Sequence, residues 1–252
     1  MFTENKKSIT LKTWLKEGAL KAVGVPVHLR VLGTCKYTTL LGRNVQVLLR
    51  NLPDSLLWLL VASPHQNREI EIKLRVAGAP AARRILRKAG FRVHRPRVFE
   101  DNIVVDTADL ALRQAGQLLR IRQTGREVLL TYKGPVEPGK HKSREELEVT
   151  LADASQAALM FERLGFHQVF RYQKYRTEYT RLRERGTVTL DETPIGCFLE
   201  IEGAPEWIDR TARKLGFEES SYITASYGGL YFRLRNERAD LPADMVFPGP
   251  AT

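Results

Sequence analysis

Charged residues recur at every second position in several short apolar stretches of this chain. Glu69-Ile-Glu71-Ile-Lys73 is the first, and the spacing returns at Arg120 and Arg122, at Arg144, Glu146 and Glu148, at Lys174, Arg176 and Glu178, and at Glu200 and Glu202. Residues two apart in an extended strand share a face. Each stretch therefore carries its charges on one side and aliphatic side chains on the other. Lys133 and Asp191 close two further stretches in the same style. Glu178 lies toward a strand end; without it the set holds seven acids (Glu69, Glu71, Glu146, Glu148, Asp191, Glu200, Glu202) and seven bases (Lys73, Arg120, Arg122, Lys133, Arg144, Lys174, Arg176). Carboxylates gathered in twos and threes repel until a divalent cation joins them, and clustered Arg and Lys repel until phosphate oxygens fill the gap. A triphosphate bound with its metal meets both demands in charge and length, and the matching chemistry is phosphoryl transfer.

One strand of this kind reads as a solvated outer face. The collective pattern reads differently, because among the stretches named above Glu-x-Glu occurs three times and Arg/Lys-x-Arg twice. Six or more strands with such faces predict a closed barrel with a charged, wet lumen. Without mutual pairing and bound ligands, burying that many ions would cost several kcal/mol each.

The elements that must position these charges show a three-fold echo. Glu69-Ile-Glu71 precedes a predicted helix over 79–89, Glu146-Leu-Glu148 one over 152–164, and Glu200-Ile-Glu202 one over 205–215. Each helix runs into Gly-Phe, at 90–91, 165–166 and 216–217. The glycine supplies a left-handed cap and the phenylalanine packs back on the helix. Further strands are predicted over 99–106, 117–123, 127–133, 169–180 and 187–192, with turns at Gly125-Arg126 and Arg185-Gly186. A closing helix is predicted over 222–235, with Gly228-Gly229 against it. The fold class is α+β, an antiparallel sheet with helices set against it.

Residues 68–235 resemble the CYTH superfamily, the triphosphate tunnel metalloenzymes, which include class IV adenylate cyclases and thiamine triphosphatases. The resemblance rests on an ordered series: Glu69-x-Glu71-x-Lys73, Asp106-Thr107, Leu119-Arg120-Ile-Arg122, Leu130-Thr-Tyr-Lys133-Gly-Pro, Arg144-Glu-Glu146-Leu-Glu148, Lys174-Tyr-Arg176, Asp191 with Gly196, and Glu200-Ile-Glu202. It implies an eight-stranded antiparallel β-barrel forming a tunnel, with helices packed outside. By it, Glu69, Glu71, Asp191, Glu200 and Glu202 would hold Mg2+ or Mn2+, with Glu146 and Glu148 in supporting or ligand roles. Lys73, Arg120, Arg122, Lys133, Arg144, Lys174 and Arg176 would grip the phosphates. Lys73 and Lys174 are the candidates for the catalytic base. The expected activity is either cyclisation of ATP to cyclic AMP and pyrophosphate or hydrolysis of a triphosphate. Val104-Val105 stands where the family often has aromatics, and Leu118 where thiamine triphosphatases resemble one another in a tryptophan. Those departures count against thiamine triphosphate, and the 130–135 and 174–179 stretches look more like the cyclase branch.

The expected organisation is an N-terminal extension over 1–66, a tunnel domain over 67–236 and a tail over 237–252. Lys and Arg outnumber Asp and Glu by 40 to 29, which suits phosphate ligands. The same excess supports a rival reading, a non-catalytic polyphosphate or nucleic-acid binder using Tyr172, Tyr175 and Tyr179. Against nucleic acid stands the repulsion between its backbone and seven carboxylates. Cys35 and Cys197 form no framework, and the five histidines lack zinc-type spacing. The apolar run 56–62 is too short to span a membrane. These features fit a cytoplasmic protein without membrane attachment, and a homodimer is compatible with them. Residues 134–141 resemble a phosphate-binding loop one residue short, but Pro135, Pro138 and the missing Ser/Thr favour a basic lid near a tunnel mouth. Packing is expected for Cys197, Trp14, Trp58 and Trp207.

Overall fold

The computed structural model describes residues 68–248. The N-terminal extension, with Cys35, Trp14 and Trp58, lies outside the described residues. Eight strands close into an antiparallel barrel in the order β1-β5-β4-β3-β2-β6-β7-β8. They are β1 (Arg68–Val76), β2 (Arg92–Thr107), β3 (Leu118–Thr124), β4 (Glu127–Lys133), β5 (Lys142–Leu151), β6 (Phe166–Thr180), β7 (Gly186–Thr193) and β8 (Gly196–Gly203).

Parity decides what the barrel buries. On β1, Ile72 and Leu74 face outward and are fully buried, beneath helices α1 (Ala79–Lys88) and α4 (Pro205–Lys214). Ala82 and Leu86 of α1 and Trp207, Ile208 and Ala212 of α4 complete that core with Val188, Leu190, Leu199 and Ile201. Both helices end as expected: Gly90 and Gly216 have φ of 87° and 90°. The Phe91 amide donates to the Leu86 carbonyl and the Phe217 amide to that of Ala212, at 3.0 Å each. Helix α3 (Ala154–Arg163) starts two residues later than the sequence suggests. The Asp153 carboxylate caps it, accepting from the amides of Ser155 and Gln156.

Two other boundaries differ. Strand β2 begins at Arg92 rather than 99, because it pairs with β6 through register shifts between Val93 and Arg95 and between Arg95 and Val98. Pro96 falls inside the second shift, where a missing amide costs the ladder little, and the shifts hide the two-residue period. The closing helix, α5 (Tyr227–Glu237), begins five residues later than expected. Ser226 caps it by accepting from the Gly229 amide. Ile223 pairs instead with Lys73 of β1 through two backbone hydrogen bonds of 2.9 Å.

Phe170 and Phe198, both of lumenal parity, pack with Tyr227 and Tyr231 of α5 and with Met245. Helix α5 thus covers one end of the lumen. The stretch read as a tail is pinned beside β6, where the Gln173 amide donates to the Met245 carbonyl at 2.9 Å and the Tyr231 hydroxyl donates to the Pro242 carbonyl at 2.8 Å. Among the described residues no helix is long and apolar enough to cross a membrane.

Candidate active site

The lumen is a cavity of about 800 Å³. Its wall carries Glu69, Glu71 and Lys73 from β1, Arg120 and Arg122 from β3, Lys133 from β4, Arg144, Glu146 and Glu148 from β5, Lys174 and Arg176 from β6, and Glu200 and Glu202 from β8. The structure thus brings together the charged residues picked out by parity. Asp191 is the exception: on the inner face but fully buried beneath other side chains, it accepts from Lys174 at 2.9 Å, from Arg176 at 2.7 and 2.6 Å and from the Tyr227 hydroxyl at 2.8 Å. Its place beneath the cations suits it to aim Lys174 and Arg176.

Acids and bases alternate around the wall. Lys133 Nζ lies 2.7 Å from Glu69 and 2.9 Å from Glu146, and Lys73 Nζ lies 2.8 Å from Glu71 and 3.0 Å from Glu200. Arg144 donates to Glu69 at 3.3 Å. Arg120 donates to the Tyr172 and Thr131 hydroxyls at 3.0 Å each, and Thr131 donates on to Glu148 at 2.7 Å. Arg176 also pairs with Glu200. Burial opposes both charges of the Lys73 group, but the pairing wins: Lys73 is pushed up by Glu200 and Glu71, and Glu71 is held down chiefly by Lys73. Lys73 therefore stays cationic, which suits holding phosphate better than taking a proton.

Sequence reasoning missed two wall-builders. Glu100 is buried, with its carboxylate 3.5 Å from Lys174, 3.9 Å from Arg122 and 4.0 Å from Arg176. Despite burial, Lys174 and the arginines hold it down to about 2. Counting back by twos from Asp106 along the strand predicted over 99–106 would have found it. Lys142 precedes Arg144 by two and shares its face; its Nζ lies 2.5 Å from Glu71. Burial and repulsion from Lys73 draw it down to about 8. Tyr227, over Asp191, left no signal. The Asp106-Thr107 pair proves structural: the Asp106 carboxylate accepts from the amides of Leu112 and Arg113 at 2.9 Å each, capping the short helix α2 (Ala111–Gln114).

Glu202 has no ion-pair partner among the described residues. Its side chain opens onto lumen space, yet the surrounding protein and its neighbours Glu69, Glu71, Glu146 and Glu200 raise it to about 7. Burial likewise raises Glu146. Crowded, oxygen-only donors of this kind fit a hard divalent cation. Among the described residues no three carboxylates converge at ligand spacing, because Lys133 and Lys73 each stand between two of them. The 134–141 loop meets the lumen through Val136, while its Lys140 and His141 turn outward to Asp209 of α4, each at 2.8 Å. Cys197 and Trp207 pack against the outer core.

This barrel of paired lumenal charges can be compared with known proteins. The CYTH domain matches residues 67–227. The chain belongs to the CYTH family. A Methanocaldococcus jannaschii protein provisionally named an adenylate cyclase is 31% identical over 134 residues, covering 53% of this chain and 75% of the relative. A solved structure of a Pyrococcus horikoshii OT3 protein is 29% identical, covers 66% of this chain and 99% of its own, and superposes with a TM-score of 0.57. A Hippeastrum protein, provisionally named an adenylyl cyclase and described as having a dominant triphosphatase activity, shares the fold at 23% identity and a TM-score of 0.51. All eight strands of the barrel lie within the residues matched to the CYTH domain.

Proposed function

We propose that this CYTH chain is a divalent-metal-dependent enzyme that takes a triphosphate into the lumen and transfers a phosphoryl or nucleotidyl group. The supporting observation is the crowding of unlike charges in one cavity, with Glu202 left unpaired among carboxylates while Arg120, Arg122, Lys174 and Arg176 line the same space. Mg2+ or Mn2+ would be held by Glu202 with Glu69, Glu71 and Glu200, supported by Glu146 and Glu148. Bound there, the ion supplies charge neutralisation and orientation of the polyphosphate. The protein's cations grip the phosphate oxygens and stabilise charge that develops as the anhydride breaks. Asp191 and Glu100 keep Lys174, Arg176 and Arg122 aimed at that position.

Hydrolysis by water at the terminal phosphorus is the first reading. A second is favoured by the neutral stretch of the cavity at Val104, Leu118, Phe170 and Phe232, which offers room for the organic part of a nucleotide. There the ribose 3′-hydroxyl of ATP would attack the α-phosphorus and release pyrophosphate, as the name of the archaeal relative suggests. Incubation with ATP or tripolyphosphate in Mg2+ or Mn2+, followed by chromatography, separates these outcomes. ADP with phosphate marks hydrolysis, cyclic AMP with pyrophosphate marks cyclisation, and a chelator should abolish either. Binding with no product in either metal would replace both readings with a non-catalytic polyphosphate binder.

A further inference from the structure

A second cluster of ionisable groups, half-buried around a buried His141, lies outside the lumen. Asp209, on α4, is approached from two other segments. His141 Nε2 lies 2.8 Å from its Oδ1, and the Tyr222 hydroxyl donates to the same oxygen at 3.1 Å. Lys140 Nζ donates to Oδ2 at 2.8 Å and lies 3.4 Å from Glu219. His141 is only 8% exposed, and its ring lies 6.1 Å from that of Tyr222. Although burial opposes the charge, hydrogen bonds from Lys140, His141 and Tyr222 hold Asp209 down to about 2. Burial and the Asp209 charge push Tyr222 up to about 12.

Both approaching segments lead directly to a lumenal lysine. His141 precedes Lys142, whose side chain passes inward to Glu71. Tyr222 precedes Ile223, whose backbone pairs with that of Lys73. The two junctions meet at one place on the barrel. Strand β5 leaves β1 at the Glu71–Lys142 pair, so the next edge position of β1, at Lys73, has Ile223 for a partner instead of a strand. Helix α4 is already anchored by Trp207, Ile208 and Ala212 in the outer core. Asp209 is not needed to hold the helix down. It fastens two otherwise irregular segments to a fixed support.

We propose that Asp209, with His141, Lys140 and Tyr222, forms a clasp on the outside of the barrel that positions Lys142 and Lys73 in the lumen. Asp209 is a positioning residue: it acts through the backbone at 141–142 and 222–223 and touches no substrate. The clasp's role in catalysis rests on the proposed function, since it assumes that these lysines meet phosphate. Its positional effect can be read without any ligand.

The test uses the full chain with Asp209→Ala, Asp209→Asn and Lys142→Ala. Ligand-free protein is treated briefly with acetic anhydride, and labelling of each lysine is read by mass spectrometry. Asp209→Ala should raise labelling of Lys142 at least fivefold and leave Lys174 unchanged, since Lys174 is held on β6 by Asp191. Asp209→Asn, which keeps an acceptor for Tyr222, should fall between. Turnover of tripolyphosphate gives the second readout. Asp209→Ala should raise KM about tenfold, and only the smaller part that passes through Lys73 should remain when it is added to Lys142→Ala, so the two effects should fall well short of additive. Should Asp209→Ala fail to fold, His141→Ala removes the clasp bond next to Lys142 and is held to the same Lys142 criterion. Unchanged Lys142 labelling, equal rises at Lys142 and Lys174, or additive effects in the double variant would overturn the clasp. Absence of turnover in the wild-type chain would instead overturn the proposed function, while the labelling still decides the positional claim.

Discussion

At the scale of single residues, the lumen separates cations aimed at phosphate from carboxylates left to compete for a metal. Arg122→Ala should raise KM for tripolyphosphate about tenfold to a hundredfold, the loss of one or two charge-assisted hydrogen bonds. Glu200→Ala should instead raise the Mg2+ or Mn2+ concentration needed for half-maximal rate. Equal changes in both variants, measured by steady-state kinetics against substrate and against metal, would contradict that division. Glu202 supplies a pH signature. Its carboxyl titrates near pH 7, above the ordinary carboxylate range, so between the two values the folded state holds a proton that the unfolded chain has lost. Stability of metal-free protein should therefore fall as pH rises through that window, and metal affinity should climb as the carboxylate ionises. Melting curves at pH 5 and pH 7.5 check this: Glu202→Gln should lose less stability between them than the wild-type chain. Most of this site was legible because strand parity is a local property that alternating charges report directly. Lys142 fell before the point where β5 was recognised, and Asp191 shares the parity yet is covered by Lys174, Arg176 and Tyr227, a depth that alternation cannot express.

At the scale of elements, the repeated strand–helix–Gly-Phe units were legible because caps are written in adjacent residues. The late start of α5 and the early start of β2 were not, since the first depends on Ile223 pairing with a strand some 150 positions away and the second on a partner that tolerates bulges. Trp207 illustrates how elements lock together. A Cβ placed on Gly186 would lie 2.5 Å from the Trp207 ring, and the Trp207 indole donates to Glu184 at 3.0 Å. Gly186→Ala should therefore displace Trp207 from the outer core and destabilise the protein by about 1–3 kcal/mol through overpacking. Denaturant unfolding measures it, and a change below 0.5 kcal/mol would show that the β6–β7 turn yields freely.

At the scale of the whole molecule, barrel closure gives every strand two neighbours and converts eight half-polar strands into one interior. The closed set of strands lies entirely within 68–203. We therefore propose that the tunnel domain over 67–236 folds without the extension, and expect a chain beginning at residue 67 to retain fold and turnover. Loss of cooperative unfolding in that truncated chain would assign the extension a structural part.

Lys73 and Lys133, each standing between two glutamates, carry a thermodynamic consequence. A lone metal ion must evict a lysine from its carboxylates, and a lone polyanion must draw that lysine away from them, so each ligand pays for a rupture that the other would have made. Heterotropic linkage is the outcome: Mg2+ should tighten tripolyphosphate, and tripolyphosphate should tighten Mg2+ by the same factor, about 5- to 150-fold for a coupling of about 1–3 kcal/mol. Calorimetric titrations of each ligand, with and without the other at saturation and corrected for their association in solution, would expose unequal or absent factors.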